Sequence, residues 1–296
     1  MDFKQIEAFV NVVRYKSFSK AADATFFTQP TISTHVNNLE VELGTKLLNR
    51  KGRAVEMTPQ GALFYKYAVE IINTRAQAVE AIGGNGDEIE GILEIQTSSV
   101  PGLAFLPEVL SSFRSIHKRT QFYVSMSDTD TVIDNLFNRM GEIGFVGSKD
   151  CRAGLTYTKV FSDKVVLIAN KSMGLGTSIT LKEAIKYPFL WRENGSATRK
   201  SLEDTAVSLG IDKMEFEIAG LYNDLGSIVK SVEEGLGVAI LSKKTAEVMG
   251  SDKVSIVELS DFKEDRDFYM VMLKNISLSP LAEAFKNFVE DFNLDK

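Results

Sequence analysis

The sequence lacks most of what would anchor a protein in a membrane, staple it with disulfides or equip it as a metalloenzyme. Among 296 residues there is one cysteine, Cys151, so no internal disulfide can form. With only two histidines beside that thiol, the usual Cys/His zinc sites are excluded. No run approaches the ~20 apolar residues of a membrane-spanning helix, so no membrane partner is expected. The chain passes from Met1-Asp2-Phe3-Lys4 straight into helical periodicity. There is no basic patch followed by an apolar stretch, so no export signal is expected and the cytoplasm is the default compartment. A Gly-x-Ser-x-Gly elbow, a phosphate-binding loop and paired metal ligands are also missing. Gly235-Leu236-Gly237 lacks the third glycine of a dinucleotide site. These absences count against an enzyme, and no cofactor is expected.

What is present is an ordinary globular composition, 44% hydrophobic and 25% charged, over a length that suits two or three domains. The net charge of −6 is unevenly spread. Residues 1–60 hold eight Lys/Arg and six Asp/Glu, a balance of +2 that leaves −8 for the remainder. A mildly basic head on an acidic body hints at a polyanion-binding module on a separate body.

Phe3, Ile6, Phe9, Val10 and Val13 repeat at helical spacing. Ser19 reads as the N-cap of a second, short helix through Ala21, Ala22 and Ala24, the small residues allowing close approach of a third. Thr28 caps that third helix, Pro30 is tolerated in its first turn, and Gly44 follows its end at Leu43. Short strands are expected over 47–50 and 54–57, joined by Lys51-Gly52-Arg53. Three helices and a basic hairpin are the plan of a winged helix-turn-helix. Thr58-Pro59 opens another helix. Along it Phe64, Tyr67, Ala68, Ile71, Ile72, Ala78, Val79 and Ile82 form a stripe of period near 3.5, interrupted at Arg75. The glycines at 83, 84 and 86 mark a hinge. The expected divisions are 1–58 for the head, 59–86 for the linker helix and hinge, and 87–296 for the body.

In the body, strands are expected over 93–97, 122–126, 143–146, 165–169, 215–219, 238–241 and 269–273. Helices are expected over 102–116, 132–140, 198–209, 225–234 and 281–292. The alternation implies parallel α/β sheets in two lobes with a cleft between them.

The span 17–61 carries Phe18, Ala21-Ala22, Thr28-Gln29-Pro30, Ile32-Ser33, Leu39-Glu40, Leu43-Gly44, Leu47-Leu48, Arg50, Thr58-Pro59 and Gly61. This resembles the N-terminal domain of LysR-type transcriptional regulators without a gap. The remaining ~235 residues agree with that family in order and length. The resemblance implies an α/β protein with an all-α-type head: winged helix-turn-helix, linker helix and a two-lobed effector domain similar to periplasmic binding proteins. This chain carries Thr34 where the family often has Arg, and Leu48 where it often has Phe.

Double-stranded DNA is the expected macromolecular partner. On the third helix Ile32, Val36, Leu39 and Leu43 must face the core. Thr31, Thr34, His35 and Asn38 form a polar, nearly uncharged face suited to base edges. The full expected DNA-contacting set is Gln29, Pro30, Thr31, Ser33, Thr34, His35, Asn37 and Asn38 on the helix, with Arg50, Lys51 and Arg53 at the hairpin for phosphate or minor groove. The linker stripe implies a homodimer, the family a homodimer or homotetramer, with RNA polymerase a further candidate partner.

For the cleft, Thr97-Ser98-Ser99 and Gly195-Ser196-Ala197-Thr198 are hydroxyl-rich turns opening helices in the two lobes, with Thr129 alongside. The expected effector contacts are Thr97, Ser98, Ser99, Thr129, Gly195, Ser196 and Thr198. Helix N-termini favour a small anion, although Ser and Thr also cap helices without any ligand. Arg192 and Arg199 are charge partners to consider, and Trp191 is expected to pack near the cleft. An enzyme and an exported solute-binding protein are the competing classes; neither accounts for the head.

Overall fold

The computed structural model describes residues 1–25, 27–51, 54–83, 89–262 and 265–292. The head begins with α1 (Phe3–Tyr15). The Asp2 carboxylate accepts the Gln5 N–H while the Gln5 side chain accepts the Asp2 N–H, a reciprocal cap. Helix α2 (Phe18–Thr25) is capped by Ser17 rather than by Ser19, because the helix already includes Phe18 and the Lys20 N–H reaches the Ser17 hydroxyl. Thr28 caps α3 (Gln29–Glu42), whose Ile32, Val36 and Leu39 are buried against Phe9 and Val12 of α1. Ala21 and Ala22 are buried where α2 meets α3. Strands β1 (Leu48–Lys51) and β2 (Ala54–Met57) pair antiparallel as the wing.

One buried carboxylate fastens that wing. Glu40, on the core side of α3, accepts the N–H groups of Leu47 and Leu48 at 2.9 and 3.1 Å and the Lys46 ammonium at 2.6 Å. Burial opposes its charge, but these donors together hold its carboxyl below the ordinary range. Thr58 then donates to the Lys46 carbonyl and accepts the Gly61 N–H, starting α4 (Pro59–Gly83) beside β1. The contact requires glycine: a Cβ on Gly61 would lie 2.0 Å from the Leu47 carbonyl oxygen.

The apolar stripe of α4 divides. Ala68 is fully buried, and Phe64, Ile71 and Ile72 pack against the head's own core with Tyr65 and Val69. Tyr67, Val79 and Ile82 are exposed, as is Leu63. An expectation that the whole stripe faces a twin is thus corrected, since the head uses its N-terminal half. The expected hinge beyond Gly83 lies outside the described residues.

Lobe I opens with β3 (Gly91–Ser98), α5 (Ser99–Ala104), α6 (Leu106–Ile116), β4 (Thr120–Ser127), α7 (Thr129–Phe137), β5 (Ile143–Val146) and β6 (Leu155–Asp163). Lobe II comprises β7 (Val165–Asn170), β8 (Ser178–Ile179), α8 (Leu181–Ala184), β9 (Phe189–Arg192), α9 (Ala197–Ser208), β10 (Ile218–Tyr222), α10 (Leu225–Glu233), β11 (Ala239–Ser242), α11 (Lys243–Met249) and β12 (Val254–Leu259). The chain then returns to lobe I as β13 (Arg266–Leu273) and α12 (Pro280–Asp291).

The sheets are mixed rather than parallel. Lobe I has the order β4-β3-β5-β13-β6, in which β3 pairs parallel with β4 and β5 while β13 runs antiparallel to β5 and β6. In lobe II β7 is antiparallel to β11 and β12. The returning strand β13 breaks the parallel pattern. Both faces of β7 are covered: Val165, Leu167 and Ala169 enter one core cluster, Val166 and Ile168 another. Three expected elements moved, among them the helix after β4, which starts at Thr129 rather than at Val132. The helix after β3 starts at Ser99 and breaks at Phe105, and the strand expected over 215–219 lies at Ile218–Tyr222, preceded by a 3-10 turn at Lys213–Glu215.

Glu40→Ala would leave two buried N–H groups without acceptors, a loss of about 1–3 kcal/mol. Because the folded carboxyl titrates below its unfolded range, this contribution is present above about pH 4.3 and fades as pH falls through the lower folded value. Urea unfolding should therefore show the gap between the two proteins at neutral pH and its closure on acidification.

Candidate functional site

Two surfaces carry chemistry. The first is the outer face of α3. Thr34, Asn37 and Asn38 are exposed, with Gln29 and Pro30 at the helix start. Thr34 Oγ1 donates to the Pro30 carbonyl at 2.9 Å, which leaves it acceptor capacity only. Thr28 and Thr31 share a hydroxyl contact of 2.8 Å. Ser33 and Thr31 are half-buried, and so is His35, whose ring sits 6.2 Å from that of Phe27. Asn37 and Asn38 have no side-chain partner among the described residues, so their amides are the ones free to read a surface. Arg53 lies outside the described residues, and of Arg50 and Lys51 only the strand backbone is described.

The second surface is the cleft, where Ser98, Ser99, Thr129, Ser196 and Thr198 converge from both lobes. Ser98 occupies an N-cap position without making a capping bond, whereas Ser196 does cap α9 through the Arg199 N–H. Plain capping therefore explains Ser196 and fails to explain Ser98. Thr129 is buried with Oγ1 lacking any hydrogen-bond partner. Gly195 stands at the mouth with φ +82°, and a Cβ there would meet Asp128 Oδ1 of the opposite lobe at 2.8 Å. Thr97 does not join this group. Strand alternation turns its side chain away from the Ser98 side, where it is fully buried and donates to the Ser98 carbonyl. Helix α5 has only six residues, so little dipole acts at the first turn.

The positive charge in the cleft comes from elsewhere. Arg266, the first residue of β13, projects its guanidinium between the lobes, donating to Thr198 Oγ1 at 3.0 Å and the Gly147 carbonyl at 3.2 Å. No carboxylate among the described residues pairs with it. Burial pushes its pKa down to about 10, with Asp163 only partly opposing that shift. Asp163 is itself occupied by the Ser242 hydroxyl and the N–H groups of Lys164 and Lys244. Arg192, by contrast, is neutralised by Glu193 at 2.8 and 2.7 Å and also donates to Ser99 Oγ. Arg199 is turned outward to Glu203 and lies over the buried Trp191 ring.

Sequence reasoning missed Arg266 and Asp128. Arg266 sits in a run of charged residues with nothing to mark it. Asp128 was detectable, since it caps α7 through the Thr131 N–H, but the helix had been expected three residues later.

Residues 86–293 match the family model of the LysR substrate binding domain, and residues 3–62 that of the bacterial regulatory helix-turn-helix protein, lysR family. The chain is a LysR-type transcriptional regulator. An uncharacterised HTH-type transcriptional regulator of Methanocaldococcus jannaschii is 28% identical over 96% of both chains. In fold the regulator is similar to a full-length OxyR variant from Pseudomonas aeruginosa, with a TM-score of 0.78 at 16% identity and complete coverage of both chains. The effector-binding domain of QuiR in complex with shikimate covers 68% of this chain and 96% of its own, with a TM-score of 0.62 at 20% identity. The regulator is thus a DNA-binding protein with an effector-binding domain, not an enzyme. Among the described residues no helix is long and apolar enough to cross a membrane.

Proposed function

We propose that this regulator is switched by a small anion bound between its lobes on Arg266. The observation that carries the reading is that guanidinium, buried without a carboxylate. Burial lowers that arginine's pKa to about 10, so the charge it keeps at neutral pH is held at a desolvation cost that an arriving anion offsets. Ser98, Ser99, Thr129 and Thr198 supply hydroxyl donors, and the orphan Thr129 Oγ1 gains a partner. The free space among these groups is only about 20 Å³, room for about one water-sized group, so the occupant is small and the lobes part to admit anything as large as a carboxylate metabolite. Shikimate, the carboxylate held by the QuiR domain, belongs to the same charge class.

The DNA reading assigns base contacts to Asn37 and Asn38, with acceptor contact from Thr34 and closer support from Thr31, Ser33 and His35. Gln29 and the α3 N-terminus are assigned to phosphate, as are Arg50, Lys51 and Arg53. The exposed half of the α4 stripe, Tyr67, Val79 and Ile82, is assigned to a twin helix in a homodimer, and a tetramer would add contacts between bodies. RNA polymerase follows as a partner from the regulatory role alone. Anion binding alters this assembly only through a difference in affinity between its arrangements.

Titration with sulfate, phosphate, acetate and shikimate, followed by Trp191 fluorescence and melting temperature, should give a saturable response in the wild type. At one hundred times Kd the stabilisation is about 2.7 kcal/mol. Arg266→Met and Thr198→Ala should fold and fail to respond. A response confined to neutral or cationic compounds, or an undiminished one in Arg266→Met, would refute the anion.

Asn38→Ala should cost about 1–3 kcal/mol of discrimination between DNA fragments selected by the wild type and random DNA. Equal weakening on both would remove it from base reading. Ile82→Asp should shift sedimentation from dimer to monomer, and unchanged mass would place the seam elsewhere.

A further inference from the structure

The head does not hang free of the body. Arg14, near the end of α1, lies 3.3 Å from Glu94 on β3, both largely shielded from water. Beside them the Tyr65 hydroxyl is buried with no hydrogen-bond partner. About two turns along α4, Asn73 is buried and donates to Glu142 at 2.8 Å and to the Ser277 carbonyl at 3.3 Å. The same Glu142 carboxylate accepts the N–H and hydroxyl of Ser279, the cap of α12. Gln77 of α4 donates to the Leu278 carbonyl at 2.7 Å. Met140, in the turn before β5, packs into the head's core. Polar groups withdrawn from water in this way need their partners, so the docking has one low-energy geometry.

Strand β3 extends the contact to the cleft. Residues two apart share a face of a strand, which places Glu94, Gln96 and Ser98 in one row. Glu94 meets the head. The buried Gln96 donates to the Met140 carbonyl at 2.7 Å and accepts from Asn135 at 2.9 Å, so it holds the turn that packs into the head. Ser98 lines the cleft. The row spans about 13 Å at the rise of an extended strand; Glu94 meets the head and Ser98 the cleft, while Gln96 reaches the head through the Met140 turn.

We propose that the Glu94–Gln96–Ser98 face of β3, with the Arg14–Glu94 and Asn73–Glu142 contacts, is the internal surface through which the cleft and the DNA-reading head bias one another. Glu94 and Glu142 are positioning residues in this scheme; neither touches effector or DNA. The proposal rests on the shared LysR architecture and holds whatever the effector's charge.

The test needs no effector. Gly195→Ala places a Cβ against Asp128 at a positive φ and so wedges the lobes apart. In hydrogen–deuterium exchange on the full chain, Gly195→Ala should raise exchange at 96–99 and also at 9–15 and 65–73, by roughly 5-fold or more, the lower end of typical coupling. Adding Asn73→Ala and Glu94→Gln should leave the cleft increase in place and abolish the increase in the head. By reciprocity, Asn73→Ala with Glu94→Gln alone should raise exchange at 96–99. Glu142→Gln, which keeps shape and one acceptor, should give a smaller change there and guards against a variant that fails to fold. A cleft that opens with the head unchanged would overturn the proposal. So would a head response that survives the added substitutions, or a strand end at 96–99 indifferent to both the double variant and Glu142→Gln.

Discussion

The two lobes meet across a guanidinium that pairs with no carboxylate among the described residues, its cross-strand neighbour Asp163 being taken by other donors. Arg266 is brought there by β13, which returns to lobe I after the whole of lobe II has been built and reaches across to Thr198. Neighbouring charges are occupied: Arg192 by Glu193, Asp128 by Thr131, and Asp163 by three donors. Among the described residues of the cleft one cation is left over, beside the hydroxyls of Ser98, Ser99 and Thr198. A fold selected for stability alone would have no reason to leave it so, since an apolar residue of similar size avoids the desolvation cost.

The head uses buried charge in the opposite way. Glu40 is buried with its donors committed to it, and it serves to fix the wing against α3. Glu142 is similar, with Asn73 and Ser279 filling its acceptor sites. A saturated buried charge specifies a geometry, while an unsaturated one leaves its desolvation cost uncompensated. Helix α4 joins the two regimes, its first half absorbed by the head and Tyr67, Val79 and Ile82 left exposed.

Much of the head was legible in the sequence because its signals are local. Thr28 before Gln29-Pro30, Thr58 before Pro59 and the 3.6 period of Ile32, Val36 and Leu39 each act within a turn or two. Local rules also misled where two elements compete. Ser19 is a good cap in isolation, but Phe18 is already helical and Ser17 takes the role. The α4 stripe carried a true apolar period without saying which partner each residue meets. In the body, the buried run at Val165–Asn170 was readable from its apolar continuity, whereas β6 and β12 alternate with polar residues and escaped notice.

The cleft shows where sequence stops. Ser98, Ser99, Ser196 and Thr198 were visible as hydroxyl-rich turns at helix starts, and tertiary structure brought them together while excluding Thr97. Arg266 had no such mark. Its partners Thr198 and Gly147 lie 68 and 119 residues away, and Ser99 lies 93 residues from Arg192. By itself the sequence determined most of the longer helices, caps such as Thr28 and Thr58, the winged head and the two-lobed plan, since these follow from periodicities and bonds spanning a few residues. Only the tertiary structure decided which charges are neutralised and which is left open, because electrostatic partnership depends on distance in space and burial, and both are set by the order in which strands enter a sheet.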